Sequence, residues 1–183
     1  KYPDLGAKGS YHKSLTYKLS DLKAIVTRGR MLGIRVIPEV DAPAHMASWA
    51  QAYPSLITDC PTENPHPQWP TYYSPADVTN EELYEVLDEI VGSLAEEFVD
   101  EFFHVGGDEP QMNCWSANED VAKYMADNNY TEIDLYTNFE NRYKGIVEKH
   151  GKKVIGWREI GTLAALDPAT TMLNVWDGND KLG

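Results

Sequence analysis

The residues best suited to chemistry are two adjacent carboxylates, Asp108 and Glu109, in the stretch FHVGGDEPQMNCW. They follow an apolar run and two glycines, Gly106 and Gly107, which leave room for a ligand where a strand passes into a loop. The alternation of a strand lapses there, so both side chains can reach one pocket. Mutual repulsion and burial would then raise a carboxyl pKa, as a general acid at neutral pH requires. A plain acidic loop fits the tetrapeptide GGDE about equally well.

A second candidate cluster lies in PEVDAPAH, where Asp41 and His45 follow a predicted strand. His45 could orient a carboxylate, carry a proton or bind a metal, although a packed loop histidine is the commoner case. A metal set would draw on both residues together with His104, Asp108 and Glu109. No tight ligand spacing such as H-E-x-x-H is present, so we predict a site without metal or cofactor.

Two tryptophans form the third candidate. Trp157 and Trp176 each end a predicted strand, and an acidic residue, Glu159 or Asp177, follows within two positions. Aromatic faces suit the apolar side of a sugar ring, whereas a single tryptophan is more often core. The repetition at equivalent strand ends favours a binding role.

These residues lie on a strand–helix alternation. Apolar periodicity predicts helices over 20–33, 81–99, 116–128 and 131–151, and strands over 34–41, 101–107, 152–157 and 170–177. The remaining segments are predicted as a loop at 3–11, a long proline-containing loop at 51–78 and a short helical turn from Leu163 to Leu166.

The helix ends carry recognisable signals. Ser20 is predicted to cap the first helix, whose apolar face includes Leu22, Ile25, Val26 and Leu32. The other predicted starts are Thr79 or Asn80, a capping box of Ser116 with Glu119, and Thr131.

Apolar strands alternating with helices predict an α/β fold with a parallel sheet, either doubly wound or a (β/α)₈ barrel. Polar and aromatic residues at successive strand ends favour the barrel. A complete barrel takes about 250 residues and eight strands, whereas these 183 residues supply four. We therefore expect residues 1–183 to form one partial barrel domain of four central βα units, strands 3 to 6.

Composition narrows the function classes. The chain has 183 residues and a formal net charge of −13, which disfavours binding to nucleic acid or anionic membrane. No apolar run approaches the roughly 20 residues of a membrane span. The chain lacks an initiator Met, so we expect a piece of a longer protein. Asn129 begins a glycosylation sequon. The two cysteines, Cys60 and Cys114, would by default be buried free thiols if the protein is cytosolic.

The motif order PEVDAPAH, FHVGGDE, CW, VIGWREI and NVWD resembles the β-N-acetylhexosaminidases of glycoside hydrolase family 20, in their eukaryotic lysosomal or secreted branch. The resemblance runs through nearly the whole chain. It implies a retaining exo-hydrolase of terminal β-linked N-acetylglucosamine or N-acetylgalactosamine, in glycoconjugates or chitooligosaccharides. In such enzymes the 2-acetamido oxygen of the substrate is the nucleophile.

The resemblance also implies roles for single residues. Glu109 would be the acid/base, and Asp108 would orient the acetamido group and stabilise the intermediate. Trp157 and Trp176 would wall the acetamide pocket, with His45 beside the acid. The supporting positions would be Asp41, His104 and Glu159. Cys60 and Cys114 would form a disulfide beside the site.

The implied partners are glycans ending in N-acetylhexosamine, with a homo- or heterodimer possible in the longer protein. The implied location is lysosomal or extracellular. Two alternatives stay open: a non-catalytic glycan-binding or storage protein with the same fold, and a metal-dependent hydrolase. Four strands would leave two apolar sheet edges open, so we expect residues 1–183 alone to be inactive.

Overall fold

The computed structural model of the chain describes residues 1–60 and 74–176. Its regular elements are seven α-helices, three β-strands and two 3₁₀ turns within these ranges. The helices are α1 (Pro3–Gly9), α2 (Leu19–Met31), α3 (Glu81–Glu97), α4 (Met112–Ala117), α5 (Glu119–Asn128), α6 (Glu132–Lys149) and α7 (Glu159–Thr162). The strands are β1 (Phe102–His104), β2 (Lys153–Trp157) and β3 (Thr171–Asn174), and the 3₁₀ turns are Ala47–Gln51 and Pro54–Leu56.

The strands form one parallel sheet in the order β1–β2–β3. Phe103 pairs with Val154 and Ile155 with Met172, so the carboxyl ends of all three strands lie at the same edge. Parallel strands require crossover connections, and α4 to α6 supply the first of them while α7 lies in the second. The parallel sheet predicted from the sequence is confirmed for these three strands.

The fourth predicted strand, 34–41, is shorter and less regular than expected. It makes a single parallel bridge, from Glu39 to His104. Two backbone hydrogen bonds hold it beside β1, from the His104 N–H to the Pro38 carbonyl at 2.9 Å and from the Val40 N–H to the His104 carbonyl at 3.1 Å. Pro38 has no N–H to donate, which limits the ladder on this segment. The segment still delivers Glu39 and Asp41 to the same edge as the other strand ends.

The core lies between the sheet and the pair α3 and α6. Leu83, Leu87 and Val91 of α3 are fully buried, as are Phe139 and Val147 of α6. Asn80, one of the two predicted starts, caps α3 by accepting the Glu82 N–H. Thr131 caps α6 as predicted, and it does so in a capping box with Asp134. Well-anchored helices of this length hold the sheet, and so the strand ends, in a fixed arrangement.

Several local predictions are wrong. Helix α2 begins at Leu19 after Lys18, not at a Ser20 cap, and Ile25 and Leu32 are exposed instead of lining a buried face. Asn118 caps α5, because Ser116 is already inside α4.

Three segments contain structure where the sequence indicated loops or a different turn. Residues 3–11 contain helix α1, and the helical turn after β2 is α7, which precedes Leu163 to Leu166. The long loop predicted at 51–78 contains the end of the first 3₁₀ turn, the whole of the second and an antiparallel bridge from Ile57 to Ala76. The middle of that loop, 61–73, and Asp177 lie outside the described residues.

Candidate active site

The carboxyl edge of the sheet brings the sequence-predicted acids together. Asp108 and Glu109 follow β1, while Asp41 ends the neighbouring segment 34–41 and His45 follows it. The His45 Nε2 lies 3.5 Å from an Asp108 carboxyl oxygen and 3.6 Å from a Glu109 carboxyl oxygen. These distances exceed an ordinary hydrogen bond, so His45 lies beside both carboxylates without being bonded to either. One histidine therefore faces both carboxylates of the pair, which the sequence alone left open.

The two acids differ in exposure. The Asp108 side chain is 17% exposed and that of Glu109 is 53% exposed. Glu109 has a positive φ of 51°, which is uncommon for a residue with a side chain and turns it away from the strand direction. The inner carboxylate can hold a bound group, while the outer one can meet an atom that arrives from solvent.

The space over the two glycines is filled by protein atoms and not by open room for a ligand. A Cβ on Gly106, whose φ is +74°, would lie 1.8 Å from an oxygen of Asp41. A Cβ on Gly107 would lie 2.2 Å from the Ile160 side chain. The expectation that these glycines leave room for a ligand is wrong here: they let Asp41 and Ile160 approach the backbone.

The surroundings of Asp41 raise the pKa of its carboxyl group. Burial raises the pKa of Asp41 to about 8, and the charges of Asp108 and Glu39 add to the effect. The Gly107 N–H donates to Asp41 at 3.1 Å, which opposes the shift. The environment therefore favours the neutral form of Asp41. Its side chain packs against the turn formed by Gly106 and Gly107, called here the glycine turn.

One ligand atom from each of Asp41, His45 and Asp108 lies within 4.8 Å of the other two. Three such atoms could surround a cation in principle. The absence of a metal from this cluster stays a prediction.

Each of the two tryptophans donates its indole N–H to a glutamate side chain. The Trp157 indole N–H donates to Glu39 at 3.1 Å, and the Trp176 indole N–H donates to Glu159 at 3.3 Å. Trp157 is half-buried, whereas Trp176 is 50% exposed and lies two residues beyond the end of β3. Each carboxylate fixes the plane of an aromatic ring at the sheet edge.

His104 lies beneath the site. Its ring meets Trp157 edge-on with centroids 4.8 Å apart, and its Nδ1 accepts the Gly106 N–H at 3.1 Å. Burial lowers the pKa of His104, against the opposing effect of the Glu39 and Asp108 charges. A neutral ring with Nδ1 as acceptor thus supports the glycine turn and the tryptophan, which is a structural contribution.

Cys60 and Cys114 are joined by a disulfide, with their Cα atoms 5.4 Å apart. The structure contains the pairing that the resemblance implied. The bond ties the long loop after His45 to α4, which follows the acid pair. Disulfides persist in oxidising compartments.

The sequence is similar over nearly its whole length to a known enzyme family. The sequence profile of the glycosyl hydrolase family 20 catalytic domain matches residues 1–182. The chain belongs to this family. Among curated relatives, the β-hexosaminidase subunit A2 of Dictyostelium discoideum is 33% identical over 163 residues, covering 88% of this chain and 29% of the relative. Subunit A1 of the same organism is 31% identical, covering 99% of this chain and 33% of the relative.

Solved structures agree with the family 20 assignment. The Flavobacterium johnsoniae chitobiase superposes with a TM-score of 0.75 and is 26% identical, covering 91% of this chain and 25% of that one. The family 20 neighbours imply a fold of the TIM-barrel type, of which the chain supplies a part. The chain spans about a third of the length of the curated relatives it matches.

Sequence reasoning missed three groups at the family 20 site. Glu39 anchors Trp157, and its place in PEVD, two residues before Asp41, could have identified it. Tyr136 and Glu140 of α6 lie under the glycine turn. Their spacing of four places both on one helix face, so a charged residue on the face that also carries Phe139 and Val147 was the available signal.

No helix among the described residues combines the length and the apolar character needed to cross a membrane.

Proposed function

We propose that the chain forms the acid-pair portion of a retaining exo-β-N-acetylhexosaminidase. The observation that carries the proposal is the pair Asp108 and Glu109 at the end of β1, with His45 within 3.6 Å of both carboxylates. Family 20 membership and β-hexosaminidase relatives support the reaction class. The activity belongs to the whole protein, of which this chain covers about a third by comparison with its relatives.

The exposures of the two acids suit different tasks. Glu109, outermost, protonates the glycosidic oxygen as the leaving group departs. Asp108, inner and shielded, accepts a hydrogen bond from the acetamido N–H and keeps the acetamido oxygen next to the anomeric carbon. That oxygen forms the bond to the anomeric carbon as the glycosidic bond breaks, and the developing positive charge is held by the Asp108 carboxylate.

The second half-reaction reverses the roles. Glu109, now ionised, takes a proton from water as the water oxygen attacks the anomeric carbon and the acetamido oxygen leaves. Two displacements at one carbon give net retention of configuration. His45 faces both carboxylates, and its contacts support a role in orienting the pair.

The tryptophans supply the walls of the binding pocket in this proposal. Trp157 is oriented by Glu39 and Trp176 by Glu159, so two flat apolar faces stand at the sheet edge. Aromatic faces of this kind suit the methyl group and the apolar side of an N-acetylhexosamine. The proposed substrates are glycans that end in β-linked N-acetylglucosamine or N-acetylgalactosamine.

We further propose that the segment at 34–41 and the three strands are neighbouring units of one barrel, strands 3 to 6. The disulfide and the sequon at Asn129 support a lysosomal or extracellular location. Homo- or heterodimerisation of the longer protein stays a prediction.

The test uses the natural protein with any residues that flank these 183. Glu109→Gln should lower kcat about 10²- to 10⁴-fold, the usual contribution of a general acid. The loss should be smaller on a chromogenic N-acetylglucosaminide than on a disaccharide, because a good leaving group needs less protonation. Glu85→Gln on the exposed side of α3 is the matched control.

NMR of the first product should show the β-anomer before mutarotation, as retention requires. Unchanged turnover of Glu109→Gln on both substrates would overturn the assigned acid. Formation of the α-anomer would overturn the acetamido mechanism while leaving the acid assignment standing.

A further inference from the structure

Glu140, on the inner face of α6, is a carboxyl group buried without a hydrogen-bond donor. Its side chain is fully buried, and neither carboxyl oxygen accepts a hydrogen bond from the described residues. Burying an ionised carboxylate in this way is costly, so the group either becomes neutral or has a function that compensates. The proposed reaction does not use it directly, because a fully buried side chain cannot contact a substrate that enters from solvent.

The position of Glu140 links it to the acid pair. One of its carboxyl oxygens lies 3.2 Å from the point that a Cβ on Gly107 would occupy. The Tyr136 hydroxyl oxygen lies at the same distance from that point and donates its proton to the Gly107 carbonyl. Glu140 and Tyr136 together therefore support the underside of the residue that precedes Asp108.

The protons available to Tyr136 and Glu140 decide which of the two side chains can donate a hydrogen bond to the other. Tyr136 has a single hydroxyl proton, and it is already donated to Gly107. Tyr136 can then bond to Glu140 only as an acceptor, with the proton coming from the carboxylic acid. Burial raises the pKa of Glu140 well above its usual range, so the carboxylic acid can carry the proton that such a bond requires.

The carbonyl that Tyr136 holds belongs to the peptide group joining Gly107 to Asp108. Resonance keeps that group planar, so fixing the carbonyl oxygen also fixes the direction in which the chain enters Asp108. Gly107 itself offers little resistance to rotation, because it has no side chain and a φ of +93°. The hydroxyl below is the contact that selects one orientation.

We propose that Glu140 is a positioning residue, an inference that rests on the roles proposed for Asp108 and Glu109. As a neutral acid, Glu140 donates a hydrogen bond to the Tyr136 hydroxyl. That hydroxyl holds the Gly107 carbonyl and thereby orients the acid pair. The group acts through Tyr136 and does not touch substrate. A merely space-filling Glu140 would tolerate an apolar side chain of similar volume. A positioning Glu140 requires a hydrogen-bond donor at that place.

The test compares Glu140→Gln, which keeps a neutral donor, with Glu140→Leu, which removes it. Both are made in the natural protein with its flanking residues and assayed on a chromogenic N-acetylglucosaminide. Glu140→Gln should keep kcat within about threefold of wild type. Glu140→Leu should lower kcat about 10- to 100-fold with little change in KM, since small misplacements of reacting groups cost that much. Glu148→Gln, on the exposed side of the same helix, is the control.

Tyr136→Phe is the second route to the same result, should Glu140→Leu fail to fold. It removes the hydroxyl that holds Gly107 and should lower kcat to a similar extent. Because both residues act in one chain of contacts, the double variant Glu140→Leu/Tyr136→Phe should be no slower than the slower single variant. Additive losses would show two independent roles and overturn the proposal, as would wild-type kcat in Glu140→Leu.

Two measurements do not depend on activity. The infrared carbonyl band of a protonated carboxyl group should be present in wild type at neutral pH and reduced in Glu140→Gln; an identical spectrum would overturn the neutral acid. A crystal structure of Glu140→Leu should show a rotated Gly107–Asp108 peptide, and an unchanged peptide would overturn the positioning role. A hydrolytically inactive wild type would instead count against the proposed function, and these measurements would still decide the state and role of Glu140.

Discussion

Replacing Gly106 with alanine tests whether the close approach of Asp41 is what the first glycine of the turn provides. The new Cβ would stand 1.8 Å from an Asp41 carboxyl oxygen and 2.6 Å from the Asp41 Cα. Rotation of the side chain can relieve the first contact. It cannot relieve the second, because the Cα is backbone, so the segment carrying Asp41 has to move away from β1.

The cost has two parts. A residue with a Cβ at a φ of +74° pays about 1–2 kcal/mol for the left-handed conformation. Displacing Asp41 breaks its hydrogen bond with the Gly107 N–H, which leaves a buried donor unsatisfied at about 1–3 kcal/mol. Alanine also restricts the unfolded chain and returns up to about 1 kcal/mol. We expect a net destabilisation of about 3 kcal/mol.

The assay is urea-induced unfolding of the natural protein, followed by far-ultraviolet circular dichroism, together with kcat on a chromogenic N-acetylglucosaminide. Gly145→Ala is the matched control, because a Cβ on this exposed glycine of α6 would meet nothing within 4 Å. It should stabilise the protein by about 0.5–1 kcal/mol through helix propensity. A Gly106→Ala protein as stable and as active as wild type would refute the packing of Asp41 against the turn.

Three further predictions use other parts of the chain. Cys60→Ser should lower the free energy of unfolding by about 4 kcal/mol in the chain-entropy model, since the bond closes a separation of 54 residues; equal urea midpoints would contradict it. Burial raises the folded-state pKa of Asp41 to about 8, so between about pH 4 and pH 8 this group binds more protons in the native protein than in the unfolded chain. The contribution of Asp41 to the free energy of unfolding therefore falls as pH rises through that window. Asp41→Asn should make the slope shallower by at most about 1.4 kcal/mol per pH unit, and an unchanged slope would contradict the buried acid. Asn129, exposed after α5, should carry a glycan in a secretory host, and the mass of Asn129→Gln protein, before and after enzymatic deglycosylation, checks it.

The parts of the fold that the sequence predicted are those with strong local signals. Helices α3 and α6 have long apolar periods and side-chain caps at Asn80 and Thr131, and both begin where expected. The cap of α5 was misplaced because Ser116 and Asn118 are both good caps two residues apart, and only the preceding helix α4 decides between them. The 34–41 segment has the composition of a buried strand, but Pro38 interrupts its hydrogen bonding.

The site follows the same division. Spacing along one strand end was enough to identify Asp108 and Glu109 as a pair, because neighbouring residues are close whatever the fold. Which group fills the space over Gly106 depends on a segment some 65 positions earlier in the chain, a contact that no local pattern encodes. The sequence predicts that the glycines leave room for a ligand, whereas in the structure Asp41 fills the space over Gly106 and Ile160 the space over Gly107.

The filled glycine turn explains why the acid pair needs so many buried polar neighbours. Gly106 and Gly107 make the backbone flexible directly before Asp108, because a glycine has no side chain to restrict its backbone. The proposed reaction needs the acid pair to be placed accurately at this point. Asp41 bonds the Gly107 N–H from one side, His104 bonds the Gly106 N–H, and Tyr136 bonds the Gly107 carbonyl. Each of these side chains comes from a different part of the fold. The orientation of Asp108 therefore depends on how these parts pack together at the sheet edge. A substitution in α6 far from substrate can then change turnover without changing affinity, which is the behaviour expected of Glu140.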